Sequence, residues 1–222
     1  MRIGLISDVH GNIVALERVL EKLNSCDIIY SAGDVVGYYP YPNETIEKFI
    51  ETGIESVFGN HDYAVVKSDF SGMNPYATEA ARYTRRVIDR KKLEWLSSLP
   101  LSIKTEYFVI YHGMPAEDEL AYTVYLFPED PLIEFLVEKY GITVVGHTHI
   151  QFIEYHDKRM LINPGSVGQP RDGDSRAAYA IFDTESGKVN LERVEYNIQE
   201  AYDAVLNAGL PEFLGKRLFE GR

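Results

Sequence analysis

Five of the six histidines in this 222-residue chain stand at, or just past, the end of a short apolar run. His10 lies in Ser7-Asp8-Val9-His10-Gly11-Asn12, and His61 in Gly59-Asn60-His61-Asp62. His112 follows Ile110-Tyr111 and precedes Gly113; His147 and His149 share Gly146-His147-Thr148-His149. Asp34, in Gly33-Asp34-Val35-Val36-Gly37, follows another such run. Imidazole nitrogens, two carboxylates and an amide oxygen make a donor set of borderline hardness, suited to a divalent transition metal. In extended chain the i,i+2 pairs Asp8/His10 and His147/His149 point to one side, so each pair is expected to serve one site. The neighbouring glycines leave room for close backbone approach.

Taken singly, most of these segments have an ordinary explanation. Asp-x-His after a strand suits a cap or turn, and Gly-Asn-His-Asp suits a turn. His112 alone reads as a hydrogen-bonded core histidine, and His156 as an edge residue of a hairpin. Gly-His-Thr-His is harder to place, since two parallel imidazoles at a strand end have no common core role. Five such segments in one chain are not explained by capping.

The elements that must carry them follow from the hydrophobic pattern. Strands are expected at 2–7, 28–30 and 54–58, with helices at 12–24 (Asn12 as N-cap) and 43–51 between them. That βαβαβ order implies parallel pairing, which gathers the C-terminal strand ends on one edge. Helices are expected at 76–90 and 91–98, an antiparallel pair at 101–103 and 107–111, and a helix at 131–140 closed by Gly141. A strand at 142–145 and hairpins 152–155/159–162 and 177–183/189–194 follow, then helix over 197–219 broken near Gly209 and Pro211. Residues 114–128 are irregular, and the acidic run 117–119 reads as a solvated loop face. The chain reads as one α/β domain over 1–222, with two sheets and helices outside.

Composition excludes several classes. With 45% hydrophobic and 25% charged residues the chain is globular rather than disordered. Lys plus Arg is 22 and Asp plus Glu 34, a net charge of −12, so a nucleic-acid polymer is not the expected partner. Cys26 is the only cysteine and cannot form an intrachain disulfide. With no signal peptide and no apolar run near ~18 residues, the expected place is the cytoplasm and no membrane partner is expected.

In order and spacing, Asp8-x-His10, Gly33-Asp34-x-x-Gly37, Gly59-Asn60-His61-Asp62, His112 and Gly146-His147-x-His149 resemble the calcineurin-like metallophosphoesterase superfamily. Asn163-Pro164-Gly165-Ser166 is similar to the closing segment of its small prokaryotic phosphodiesterase branch. The resemblance implies a four-layer α/β/β/α sandwich of two mixed sheets with helices on the outside. It implies two divalent transition metal ions, manganese ahead of Fe, Ni, Zn and Co. Asp8, His10, Asp34 and His149 would hold the first, and Asp34, Asn60, His112 and His147 the second, with Asp34 bridging. His61 matches the histidine that protonates the leaving oxygen after direct attack of a metal-bound hydroxide, and Asp62 is expected to orient its ring. In an extended segment Asn60 and His61 would point to opposite sides.

Departures from the pattern narrow the substrate. The Asp-Arg-Gly stretch of the phosphoprotein phosphatases is replaced by Val36-Gly37-Tyr38-Tyr39, so their phosphate-gripping arginine is missing. Arg171 could supply a cation instead, or simply pair with Asp172 or Asp174. Tyr38, with Tyr39 and Tyr41, could form a stacking rim for a base or aryl group, or pack under the loop. The expected substrate is a phosphodiester or small phosphoester, ahead of a phosphoprotein. A non-catalytic protein-interaction scaffold of the same fold is the alternative, which the complete ligand set disfavours. A homo-oligomer is left open.

Overall fold

The computed structural model describes residues 1–115 and 123–222. The acidic run 117–119 lies outside the described residues. The chain opens on β1 (Arg2–Ile6), α1 (Ile13–Leu23), β2 (Ile28–Ser31), α2 (Pro42–Thr52) and β3 (Glu55–Ser56). Asn12 caps α1 as expected, its side chain accepting from the Ala15 N–H at 3.2 Å. β1, β2 and β3 are parallel, with Ile3 opposite Ile28 and Tyr30 opposite Glu55. Next come α3 (Asn60–Lys67), α4 (Pro75–Val87), α5 (Arg90–Ser97), β4 (Ser102–Lys104) and β5 (Val109–Tyr111). The remainder is α6 (Leu132–Tyr140), β6 (Thr143–Val144), β7 (Gln151–His156), β8 (Arg159–Pro164), β9 (Ala177–Asp183), β10 (Lys188–Val194), α7 (Ile198–Asn207) and α8 (Glu212–Lys216), then a 3-10 turn, Arg217–Glu220.

Two mixed five-stranded sheets result, ordered β10-β9-β1-β2-β3 and β4-β5-β6-β8-β7. Alternation along the strands sorts the side chains into three cores. In β9, Ala177, Tyr179 and Ile181 join the helices while Ala180 and Phe182 face the other sheet. Ile3, Leu5, Phe108, Ile110, Val144 and Ile162 fill the space between the sheets. Leu16, Val19, Phe49, Ala80 and Val205 cover the outer face of the first sheet, and Ile133, Leu136 and Val137 of α6 cover the second. Three cores separate four layers, so the structure is the expected α/β/β/α sandwich. Among the described residues no helix is long and apolar enough to cross a membrane.

One element departs from the sequence reading. Gly59-Asn60-His61-Asp62 is neither a turn nor extended; it opens helix α3. Asp62 occupies the third helical position and accepts the Gly59 N–H at 3.0 Å, half of a capping box. The same carboxylate accepts the Val35 and Val36 N–H groups at 3.3 and 3.1 Å, joining the helix start to the Asp34 loop.

Candidate metal centre

All seven candidate ligands and His61 meet where the strand ends of both sheets face each other. Asp8 and His10 follow β1, Asp34 follows β2, Asn60 and His61 begin α3, His112 follows β5, and His147 and His149 follow β6. Backbone bonds past the strand ends fix the loops: Asp8 N donates to Gly33 O at 3.0 Å and His10 N to Asp34 O at 2.9 Å. Asp8, His10, Asp34, His147 and His149 all have φ between 53° and 68°. This left-handed region costs a non-glycine residue of order 1–3 kcal/mol and concentrates at functional sites. It also corrects the expected extended geometry of the two i,i+2 pairs. His147 and His149 do not serve one place: His147 clusters with Asp34 and His112, His149 with Asp8 and His10.

The outer imidazole nitrogens fix the tautomers. His112 Nδ1 faces Ala32 O at 2.7 Å, His149 Nδ1 faces Gln169 O at 2.6 Å, His147 Nε2 faces Thr123 O at 3.1 Å and His10 Nδ1 faces Val36 O at 3.3 Å. A ring nitrogen against a carbonyl must carry its proton, so in the neutral ring the inner nitrogen presents a lone pair. His10 Nε2 and His149 Nε2 then stand 3.0 Å apart, and His112 Nε2 lies 3.2 Å from His147 Nδ1 and 3.0 Å from Asn60 Oδ1. Asp8 Oδ1 is fully buried with no hydrogen-bond partner, although His149 Nε2 comes within 3.2 Å of it. Asp34 Oδ1 accepts the His61 N–H at 2.8 Å, while Oδ2 lies 3.7 Å from His10 Nε2 and 3.4 Å from His112 Nε2. One carboxylate oxygen thus stands between the two clusters.

Converging carboxylate oxygens and imidazole nitrogens fit cations, and buried charges need partners. The side-chain electrostatics express the same need. Burial alone would push His112 down, but the Asp34 carboxylate outweighs it and lifts the ring to about 9. Burial pushes His147 down to about 4 and His149 to about 3. Asp34 and Asp8 are held well below the carboxylate range, burial being outweighed by the surrounding imidazoles.

His61 is set apart from Asn60, though not for the expected reason. Successive helix positions diverge by about 100°, so Asn60 turns to His112 while the His61 ring lies against His10 and Tyr38, at centroid distances of 4.6 and 4.5 Å. His61 Nδ1 is buried without a partner, and burial holds the imidazole well below its usual pKa. Gly37, at φ 141°, admits this arrangement; a Cβ there would lie 2.6 Å from His61 Nδ1 and 2.8 Å from His10 Nδ1. Asp62 does not orient His61, because its oxygens serve backbone N–H groups.

His156 pairs with Glu154 at 3.0 Å on β7, away from the clusters. Arg171 pairs with neither Asp172 nor Asp174; those carboxylates bind Arg193 and Arg176. Its Nη2 donates to Tyr38 Oη at 3.1 Å and to Gln169 Oε1 at 2.8 Å. Tyr38 is only 3% exposed and Tyr39 1%, so neither ring stands free as a rim. Tyr39 packs under the loop, and Tyr38 lines a cavity of about 460 Å³ with Asn60, His61, Met73, Tyr125 and His147. Tyr125 was not foreseen: its ring stacks on His147 at 3.8 Å and 12° and is 45% exposed. The closing segment has a clear role, since Asn163 Nδ2 donates to Gly146 O at 2.8 Å and Ser166 Oγ to Asp8 O at 2.7 Å.

Known proteins resemble this chain in sequence and in fold. A family model described as the calcineurin-like phosphoesterase superfamily domain matches residues 1–187. An uncharacterized protein of Methanocaldococcus jannaschii, MJ0912, is 39% identical, the match covering 99% of this chain and 98% of that one. The crystal structure of a metallophosphoesterase from Sphaerobacter thermophilus superposes with a TM-score of 0.87 at 35% identity, covering 100% and 99% of the two chains. Hypothetical protein PH1004 of Pyrococcus horikoshii shares the fold, with a TM-score of 0.88 at 22% identity over 100% and 98%. Sequence, layer order and the convergent Asp/His set lead to one conclusion: the chain belongs to the calcineurin-like phosphoesterase superfamily.

Proposed function

We propose that the chain is a two-metal phosphoester hydrolase acting on a phosphodiester or small phosphoester. The observation that carries the reading is Asp34 Oδ2, set between two clusters of buried nitrogen and oxygen lone pairs. Asp8, His10, Asp34 and His149 would hold one ion, and Asp34, Asn60, His112 and His147 the other. Bound there, two divalent ions, Mn²⁺ first among those considered, supply Lewis acidity toward the phosphoryl group and lower the pKa of water. The carbonyls of Ala32, Gln169 and Thr123 would hold the rings of His112, His149 and His147 in place. His61 would deliver a proton to the leaving oxygen, its place on the cavity wall beside His10 and Tyr38 being what supports that role. Residues 1–222 would act as one domain, because β9 pairs Asp183 with Arg2 and so closes the first sheet on the start of the chain. The lone Cys26 fits a reducing cytoplasm.

The test is metal stoichiometry with turnover of a chromogenic phosphodiester. Wild type should bind two ions and turn over. Asp34→Asn should lose metal at both positions and all measurable turnover, while His156→Ala keeps both. Equal metal content in the two variants would remove the assignment.

A further inference from the structure

Two arginines meet at Tyr38, neither of them paired with an acidic side chain among the described residues. The Arg171 guanidinium carbon lies 5.6 Å from the Tyr38 ring centroid and that of Arg217 lies 6.0 Å from it. In a chain with 34 Asp and Glu residues, no acidic side chain lies within 4 Å of either guanidinium among the described residues. The hydrogen bonds of Arg171 go to Tyr38 and Gln169, and that of Arg217 Nε to Arg222 O. Both side chains are half-buried. Burial, and then the Arg171 charge, push Arg217 below the usual arginine range. Two like charges held near each other and half out of water repel, and an anion between them relieves that repulsion.

The pair is built rather than incidental. Gln169 is fully buried; its Oε1 accepts Arg171 Nη2, and its Nε2 donates to Tyr39 Oη at 2.9 Å. Tyr39 Oη donates in turn to Leu214 O at 3.2 Å, which anchors α8 and the turn that carries Arg217. The Arg171 N–H donates to His149 O at 3.1 Å, fixing this arginine to a candidate ligand. Arg217 lies beyond the residues that the family model matches. The Tyr38 ring, 4.7 Å from His10 and 4.5 Å from His61, packs against both the arginines and the candidate metal centre.

We propose that Arg171 and Arg217 together bind a second phosphate, carried by the same substrate molecule whose phosphoester the centre hydrolyses. This rests on the phosphoesterase reading and narrows it to substrates with two phosphoryl groups. Guanidinium forks suit phosphate oxygens, and charge-assisted bonds of this kind are the strong ones.

The experiment measures calorimetric binding of thymidine 3′,5′-bisphosphate and thymidine 5′-monophosphate to the Mn²⁺-loaded protein. Hydrolysis of the 5′-(4-nitrophenyl) esters of both is followed in parallel. Wild type should bind the bisphosphate at least about tenfold more tightly, and Arg217→Gln or Arg171→Gln should bring that ratio toward one. A structural arginine would lower both affinities together and leave the ratio unmoved. Should Arg217→Gln fail to fold, Arg171→Gln carries the test, since its backbone bond to His149 does not need the guanidinium. Equal wild-type affinities, or a ratio unchanged in the folded variants, overturn the proposal. An arginine-dependent ratio without hydrolysis of either ester would keep the anion site and sink the phosphoesterase reading; hydrolysis with no such ratio does the reverse.

Discussion

Gly146→Ala probes how tightly the first ligand is held. A Cβ at this position would lie 2.0 Å from Ser7 Oγ, 2.7 Å from Asp8 Oδ2 and 3.0 Å from Ser7 Cβ. The backbone cannot easily retreat: Gly146 N donates to His112 O at 2.8 Å, and Gly146 O accepts Asn163 Nδ2 at 2.8 Å. Ser7 and Asp8 are fully buried, so they too have little space. The added methyl must displace the Ser7 hydroxyl by more than 1 Å, breaking its 2.6 Å bond to Asp8. A lost hydrogen bond to a carboxylate costs about 1.5–3 kcal/mol, and overpacking adds about 1–3 kcal/mol. The sum, about 2.5–6 kcal/mol, corresponds to a fall in Tm of roughly 5–24 °C for a chain of this length. Thermal melting gives the first reading and metal analysis the second, since a displaced Asp8 should deplete one ion. Ser7→Ala removes the 2.0 Å contact, so Ser7→Ala/Gly146→Ala should melt higher than the sum of its parts predicts. A Gly146→Ala protein with wild-type Tm and metal content, or a double variant that is simply additive, would refute the reasoning.

Two further perturbations separate roles within the centre. His61→Ala should retain both metals, lose ~10²–10⁴ in kcat on a diester with a poor alkoxide leaving group, and lose little on a nitrophenolate; an equal fall on both substrates, or metal loss, would make His61 a ligand or phosphate donor instead. Asp62→Ala strands the N–H groups of Gly59, Val35 and Val36 and should cost on the order of 3 kcal/mol. Its melting point should fall while the His61 leaving-group dependence persists, and a leaving-group profile matching that of His61→Ala would restore Asp62 as the partner of that ring.

The outer frame was legible because its signals are local. Asn12 caps α1, and Gly141, at φ 79°, ends α6 as glycine permits. The ligand set was legible from residue types at strand ends. Helix α3 was missed because Gly-Asn-His-Asp carries strong turn chemistry, and the capping signal of Asp62 three residues after Gly59 was outweighed by it. The left-handed backbone of Asp8, His10 and Asp34 is imposed by the paired loop bonds to Gly33 and Asp34, which no local pattern encodes. Tyr125 reaches His147, and Arg217 reaches Tyr38, through tertiary folding of an irregular stretch and of the final turn, so their positions could not be read from spacing.

The order β10-β9-β1-β2-β3 places the first strand made in the middle of its sheet. During synthesis, Asp8 and His10 emerge early, but Arg2 and Leu5 wait for Asp183 and Ala180 before β1 has both neighbours. Until then β1 offers an unpaired edge with Ile3, Leu5 and Ile6 on its two faces, the kind of surface that recruits other strands. Such sequence-distant pairing slows folding and prolongs exposure to aggregation. The nascent chain is therefore most vulnerable between the appearance of α1 and the closing of β9, and a chain truncated before residue 177 should aggregate rather than fold.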